Sequence, residues 1–273
     1  MSTADTPTTA PPAFIPLEAN PELMTTLLHN LGLSPTLAIH DVYSLTDPDL
    51  LSFIPRPALA LLLVFPVSAA YESHRLAEDA SLPDYRTKTN PPTQTQEGEN
   101  PGGKEEAEEE PVLWFPQTIR NACGLIGLLH ASLNGPARSH IQPRTTLSHL
   151  LSASQRDPST NLPHTHPAAA RAKLLEQNAD LARAHRAVAS QGDTTAPAAE
   201  DDVDLHFVCF VKGGDGGLWE MDGRRKGPLR RGGLEEGEDV LSEKALAVGP
   251  LKFLEREGGD LRFSCVALAG SLD

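Results

Sequence analysis

A cysteine near the middle of the chain has surroundings that could activate its thiol. Cys123 stands near the start of a predicted apolar helix, residues 121–133, just after a strand-like run, 112–115. Asn121 is the expected N-cap of that helix. A helix N-terminus stabilises a thiolate, which is the nucleophilic form of cysteine. Gln117 carries a side-chain amide that could donate a hydrogen bond to a developing oxyanion. The pattern suggests catalysis by a thiol, although a lone cysteine is more often a small buried hydrophobe.

A second group of reactive side chains lies on a predicted β-hairpin. Two runs rich in β-branched and aromatic residues flank the glycine-rich turn 213–217. In a hairpin centred on that turn, His206 faces about residue 224 and Asp222 faces about residue 208. The two side chains then share one face as diagonal neighbours, whose backbones lie about 7 to 8 Å apart. A carboxylate that orients an imidazole, and an imidazole that deprotonates a thiol, form an activated nucleophile.

Longer motifs surround these residues. They are Gln…Asn-x-Cys-Gly…Ile-Gly-Leu-x-His-Ala over 117–131, His-Phe at 206–207, and Leu-x-Glu-x-Asp-Gly over 218–223. Together they resemble the ubiquitin C-terminal hydrolases, a family of cysteine peptidases, in both order and spacing. The matching positions are Gln117, Asn121, Cys123, Gly124, Ile126, Gly127, Leu128, His130, Ala131, His206, Phe207, Leu218, Glu220, Asp222 and Gly223.

The resemblance implies a reaction and a role for each candidate site residue. Cys123 is the implied nucleophile, His206 the general base and acid, Asp222 the group that orients His206, and Gln117 the oxyanion stabiliser. The implied activity is a deubiquitinating thiol hydrolase. It would cleave small adducts or short peptides from the C-terminal glycine of ubiquitin through an acyl-enzyme. Ubiquitin is therefore the expected partner.

The resemblance also implies a fold, and local patterns predict some of its elements. The implied fold is α/β (α+β): a central, mostly antiparallel six-stranded sheet flanked by helices, with the knotted backbone of the family. A leucine stripe predicts a helix over 21–31, which Asn20 and Pro21 open and Gly32 ends. The apolar run 58–65 predicts a strand buried on both faces. Further predictions are a short strand at 38–43, a helix that starts over 145–152, a helix over 171–189, a basic loop over 224–231, a helix over 241–257 broken near 249–250, and a last strand over 261–268.

The chain is expected to hold one catalytic domain. Residues 1–13 are rich in Thr, Pro and Ala and predict a disordered tail, so the domain is assigned to 14–273. Residues 73–111 predict a polar, acidic, linker-like insert on the surface. A proline-rich stretch, about 152–170, corresponds to the loop that crosses the catalytic cleft in the family.

The net charge and the pattern of histidines and cysteines limit the possible partners and cofactors. The formal net charge of −14 argues against nucleic-acid binding and is compatible with a basic protein ligand. The acidic run within the insert is interpreted as a solvated loop. His164 and His166 lack a third nearby ligand, and the cysteines follow no zinc spacing. We therefore expect no metal and no cofactor.

The same sequence features bear on location and assembly. The amino terminus shows no basic-then-apolar leader, and the longest apolar run is too short to span a bilayer. We therefore expect no membrane association and a reducing cytoplasmic or nuclear setting, which a thiol enzyme needs. The chain ends soon after its last predicted strand, so we expect a short, single-domain, monomeric enzyme.

Three alternative functions compete with this interpretation. The chain could hydrolyse a ubiquitin-like modifier instead of ubiquitin. It could be a non-catalytic ubiquitin-binding module, although all four catalytic positions of the motif are intact. It could also be an unrelated thiol peptidase of the papain type, but that family has a different cysteine neighbourhood.

Overall fold

The computed structural model describes residues 13–85, 110–155, 168–192, 204–256 and 263–272. Within these ranges, helices and strands form a mixed α/β fold. The helices are α1 (Pro21–Leu31), α2 (Pro48–Leu51), α3 (Ala69–Ala80), α4 (Cys123–Ser132), α5 (Thr146–Gln155), α6 (Ala168–Glu176), α7 (Ala179–Ala189), α8 (Glu243–Val248) and α9 (Pro250–Arg256), with a 3-10 helix at Gly135–His140. The strands are β1 (Leu37–Asp41), β2 (Ala60–Pro66), β3 (Leu205–Lys212), β4 (Gly217–Met221), β5 (Leu229–Gly233) and β6 (Ser264–Gly270).

The strands form one six-stranded sheet in the order β1-β6-β2-β3-β4-β5. Every neighbouring pair is antiparallel, so the predicted fold class is confirmed. Strand β2 lies inside the sheet, and each of its residues is buried. Leu62 and Val64 join the core on one face, whereas Leu61 and Phe65 join the core on the other. The apolar run therefore has no polar face because neither side of β2 meets water.

Helix α1 has the bounds that the sequence predicts. The Asn20 side chain accepts hydrogen bonds from the backbone amides of Glu22 and Leu23, at 3.0 and 3.1 Å. These bonds satisfy amides that have no partner within the helix. Gly32 ends the helix at a φ of 110°, which only glycine adopts without strain.

The β3–β4 hairpin has the predicted register. Cys209 pairs with Met221, and Phe210 pairs with Glu220. The same offset places His206 and Asp222 just beyond these pairs, on the same side of the ladder. Strand β2 pairs with the other edge of β3 and sets Phe65 opposite His206.

The strand-like run 112–115 is buried but is not a strand. Its backbone bonds to side chains rather than to a neighbouring strand. Asn134 accepts from the Leu113 amide at 2.6 Å and donates to the Leu113 carbonyl at 3.0 Å. His130 accepts from the Phe115 amide at 3.0 Å. The strand-like composition of this run therefore predicted burial correctly and strand pairing wrongly.

Three other predicted elements differ in the structure. Residues 73–80 are not a linker, because they belong to α3, whose first turn is capped by Ser68. The helix predicted over 171–189 is two helices, because Asn178 caps the start of α7 through the Leu181 amide at 2.9 Å. The predicted basic loop over 224–231 contains the start of β5, which begins at Leu229.

Other predictions have mixed outcomes. The break near 249–250 separates α8 from α9, as predicted. Most of the predicted tail, insert and crossover loop lies outside the described residues, as do His164 and His166. The knotted chain path stays a prediction. Among the described residues, no helix combines the length and the apolar character that crossing a bilayer requires.

Candidate active site

Cys123 is the first residue of α4, and its thiol is partly exposed. The predicted cap, Asn121, is wrong: Ala122 holds the cap position and has no side chain that can cap the helix. Asn121 instead turns the chain at a φ of 57°, a conformation that Asn tolerates better than most residues. No side chain of the described residues caps the first amides of α4, which can therefore stabilise negative charge at the sulfur.

The body of α4 is fully buried, which fixes the position of Cys123. All residues from 124 to 132 are buried. A Cβ on Gly127 would lie 3.0 Å from Leu62 of β2, and one on Gly124 would lie 3.4 Å from Phe207 of β3. The glycines therefore let α4 lie close against the two central strands. The Cys123 sulfur comes within 3.9 Å of the Leu205 carbonyl, next to His206.

The imidazole of His206 links the thiol to a carboxylate. Its Nε2 lies 2.8 Å from Oδ1 of Asp222, and both side chains are buried. The Cys123 thiol lies close enough to the ring to influence its protonation. Burial disfavours protonation of the ring, but the charge and hydrogen bond of Asp222, together with Cys123, raise the His206 pKa to about 9. An imidazolium next to the sulfur stabilises a thiolate.

The Asp222 carboxylate accepts hydrogen bonds from three donors. His206 and the backbone amide of Arg224 (2.8 Å) donate to Oδ1, and the Tyr71 hydroxyl donates to Oδ2 at 2.6 Å. The indole of Trp114 donates to the Asp222 backbone carbonyl at 3.1 Å. Burial opposes ionisation, but His206 and the donors outweigh it and hold the pKa of Asp222 far below its usual value. Sequence reasoning missed Tyr71 and Trp114, since neither belongs to the motifs.

The backbone of Gln117 is hydrogen-bonded to the segment that carries Asp222. Its amide donates to the carbonyl of Gly223, the neighbour of Asp222, at 2.8 Å. Within the described part of the chain, its side-chain Nε2 makes only a long contact, 3.4 Å, to the Ile119 carbonyl. Its Oε1 is buried and has no hydrogen-bond partner among the described residues. A weakly engaged amide keeps its capacity to donate to a substrate oxygen.

We predict that Gly223→Ala displaces Gln117. The added Cβ would lie 3.0 Å from the Gln117 backbone nitrogen, from its Cβ and from Ile126. Such overpacking typically costs about 1 to 3 kcal/mol. A shift of about 1 Å in a catalytic group can lower kcat about a hundredfold. Thermal unfolding and steady-state hydrolysis measure the two effects.

Gly237→Ala is the matched control, because its Cβ would meet no atom within 4 Å. That variant should keep both stability and turnover. Normal turnover in Gly223→Ala would show that this glycine does not control the placement of Gln117.

His130 belongs to the motif, but its role is structural. It is buried on α4, and burial lowers its pKa to about 4, so the ring is neutral near pH 7. Since Nε2 accepts from Phe115, the ring proton resides on Nδ1. His130 therefore holds the segment that leads into Gln117.

The structure brings all four predicted site residues together. Cys123 contacts His206, His206 bonds Asp222, and Gln117 bonds the residue after Asp222. The described part of the chain contains no group of three or more His, Cys, Asp or Glu side chains that could hold a metal. The arrangement can ionise a thiol, move its proton and orient the base.

Sequence comparison identifies the family. The family profile described as ubiquitin carboxyl-terminal hydrolase, family 1, matches residues 14–249. The chain belongs to this family. Ubiquitin carboxyl-terminal hydrolase 3 of Arabidopsis thaliana is 31% identical to it over 94% of each chain. The human isozyme L1 is 34% identical, over 93% of this chain and 96% of the relative. YUH1 of Saccharomyces cerevisiae is 30% identical, over 94% and 95%.

Solved structures support the same fold. The chain is similar to the catalytic domain of Trichinella spiralis UCH37 bound to ubiquitin vinyl methyl ester, with a TM-score of 0.63. The match covers 94% of this chain and 95% of that one, at 18% identity. As a ubiquitin carboxyl-terminal hydrolase, the chain is a hydrolase of the cysteine-peptidase type, which is the class that the motifs predicted.

Proposed function

We propose that this ubiquitin carboxyl-terminal hydrolase cleaves small adducts or short peptides from the C-terminal glycine of ubiquitin, through an acyl-enzyme on Cys123. One observation carries the proposal: the His206 ring contacts the Cys123 thiol on one side and bonds Asp222 at 2.8 Å on the other. That arrangement activates a nucleophile. Family membership supplies the substrate, since the relatives are named for ubiquitin.

The proposed reaction begins with proton transfer from Cys123 to His206. The thiolate attacks the carbonyl carbon of the terminal glycine, and a C–S bond forms as the carbonyl π electrons move to oxygen. His206 then donates its proton to the leaving amine or thiol, whose bond to the acyl carbon breaks. Water, deprotonated by His206, hydrolyses the thioester and regenerates the thiol. Asp222 keeps the imidazole in one tautomer and orientation throughout.

The oxyanion of each tetrahedral intermediate needs donors. The Gln117 amide and the backbone N–H of Cys123 are proposed to supply them. Loss of one such donor typically lowers kcat by a factor of about 10² to 10³. The long contact of Gln117 Nε2 to Ile119, 3.4 Å, means that little is lost when the amide turns to the substrate.

Ubiquitin is the proposed partner, and the chain is proposed to act as a monomer. The Trichinella spiralis relative is bound to ubiquitin vinyl methyl ester, which supports a ubiquitin site in this fold. The net charge of −14 is compatible with a basic ligand. The described cysteines are all free thiols, which agrees with the proposed reducing setting in the cytoplasm or nucleus. The catalytic domain is proposed to span 14–273, with an acidic insert that begins after α3.

A ubiquitin probe with an electrophilic C-terminus tests the proposal. Incubation should label the protein once, and peptide mapping should place the adduct on Cys123. The same probe built on a ubiquitin-like modifier separates the two substrates by their labelling rates. Labelling of Cys265, or no reaction with either probe, would contradict a hydrolase centred on Cys123.

A further inference from the structure

The Tyr71 hydroxyl is part of the Asp222 environment, although Tyr71 lies 151 positions away in the sequence. It donates to Oδ2 at 2.6 Å, while His206 and the Arg224 amide use Oδ1. Tyr71 is 3% exposed. Its ring packs against Phe65, with centroids 4.9 Å apart, and lies 6.2 Å from the His206 ring. The hydroxyl therefore has little freedom to point elsewhere.

A buried charge network holds the helix that carries Tyr71. Arg225, 1% exposed, bonds Glu78 and Asp79 of α3 at 2.8 and 2.9 Å, and Glu220 of β4 at 3.1 Å. Arg75 of α3 also donates to the Arg224 carbonyl at 3.3 Å. The network thus holds α3 to residues that precede and follow Asp222 in the sequence. It fixes the distance between the hydroxyl and the carboxylate.

We propose that Tyr71 is a positioning residue for the reaction: its hydroxyl locks the rotation of the Asp222 carboxylate, so that Oδ1 stays aligned with His206. The inference rests on the proposed function, because it gives Asp222 the orienting role. A carboxylate held at one oxygen only can rotate about its χ2 bond, which is a soft torsion. A donor on the second oxygen removes that freedom and satisfies a buried acceptor.

The hydroxyl remains a donor over the working range of pH. Burial and the neighbouring Asp222 charge both raise the Tyr71 pKa well above its ordinary value. A phenolate is thus not formed next to the carboxylate.

Tyr71→Phe removes the hydroxyl and keeps the ring. We expect kcat for a fluorogenic ubiquitin substrate to fall about tenfold, with KM within about twofold, as for the loss of a hydrogen bond to a charged group. Replacement of Tyr71 by 4-aminophenylalanine, which keeps a donor at the same place, should restore turnover to within about threefold of the wild type. Tyr43→Phe makes the same chemical change at a side chain that is 74% exposed and should have no effect.

A double-mutant cycle separates positioning from packing. If Tyr71 acts only through the carboxylate, Tyr71→Phe should cause no further loss in an Asp222→Ala background. A role in packing α3 would instead give additive losses and would overturn the proposal. So would a Tyr71→Phe enzyme with kcat within about twofold of the wild type. Thermal unfolding of each variant shows that the comparison is made on folded protein.

Alkylation of Cys123 by iodoacetamide tests the same cycle without ubiquitin. Both single variants should slow alkylation at pH 7, because a poorly oriented His206 stabilises the thiolate less. The double variant should be no slower than Asp222→Ala. If the wild type fails to hydrolyse ubiquitin but shows this pattern, the proposed function is wrong and the role of Tyr71 stands. If it hydrolyses ubiquitin and Tyr71→Phe leaves alkylation unchanged, the role of Tyr71 is wrong.

Discussion

Cys123→Ala should lower ubiquitin hydrolysis by at least about 10⁴-fold, the size of effect seen when a covalent nucleophile is removed. The imidazole, carboxylate and Gln117 would remain in place, but no thiolate could form the acyl-enzyme. Ubiquitin binding should persist with Kd within about threefold, because the methyl group of alanine leaves the surface nearly unchanged. Single-turnover hydrolysis and calorimetric titration with ubiquitin measure the two quantities.

Cys265→Ala is the matched control. Cys265 lies on β6, and burial raises the pKa of its thiol to about 12, so it carries little thiolate near pH 7. This variant should keep normal turnover. Substantial hydrolysis by Cys123→Ala, or its loss in Cys265→Ala, would contradict the assignment of the nucleophile.

Asp222→Ala should lower kcat by about 10³-fold or more and change the pH profile. In the wild type, Asp222 outweighs burial and raises the His206 pKa to about 9. The imidazolium that protonates the leaving group is thus lost only as the pH rises through about 9, and kcat/KM should fall there. Without the carboxylate, burial is the largest influence left on the ring and lowers the His206 pKa. The alkaline fall of kcat/KM should therefore move to lower pH.

The stability of the folded protein should also depend on pH through His206 and Asp222. The folded-state pKa of His206 is about 9, above an unfolded value of about 6.5. The unfolded state loses this proton first as pH rises, so the contribution to stability is full below about pH 6.5 and is lost as the pH rises through about 9. Denaturant unfolding between pH 6 and 10 measures it.

Asp180→Ala is the control for both measurements. Asp180 is an exposed carboxylate that pairs with Arg183 on α7. It should change neither the pH profile nor the slope of stability with pH. An Asp222→Ala enzyme whose alkaline limb stays near pH 9 would show that another group sets the pKa of His206.

Much of the local structure could be predicted because its causes lie within a few residues of one another. Asn20 and Gly32 mark the ends of α1, and hydrogen bonds to these same residues define its ends in the structure. The glycine-rich turn set the hairpin register. The resemblance of the motifs to the family selected the thiol, imidazole, carboxylate and amide that the structure places in one site.

Other features could not be read from neighbouring residues. The run 112–115 has the composition of a strand, but the buried side chains of His130 and Asn134 occupy its backbone groups. The start of the predicted insert looked polar, yet its Glu78 and Asp79 pair with Arg225, which also pairs with Glu220 of β4 and so holds α3 against the sheet. A polar stretch of sequence suggests solvent exposure, but charged side chains can be buried when each is paired with an opposite charge from a distant segment.

The sequence by itself thus determined the reaction class, the candidate site residues and the elements whose ends or turns are marked by Asn, Pro and Gly. Only the tertiary structure decided what surrounds the carboxylate. Tyr71 reaches Asp222 because β2 lies beside β3 and α3 is held to the end of β4. Contacts of that kind depend on the packing of distant segments, and no local propensity or spacing rule records which segments will meet.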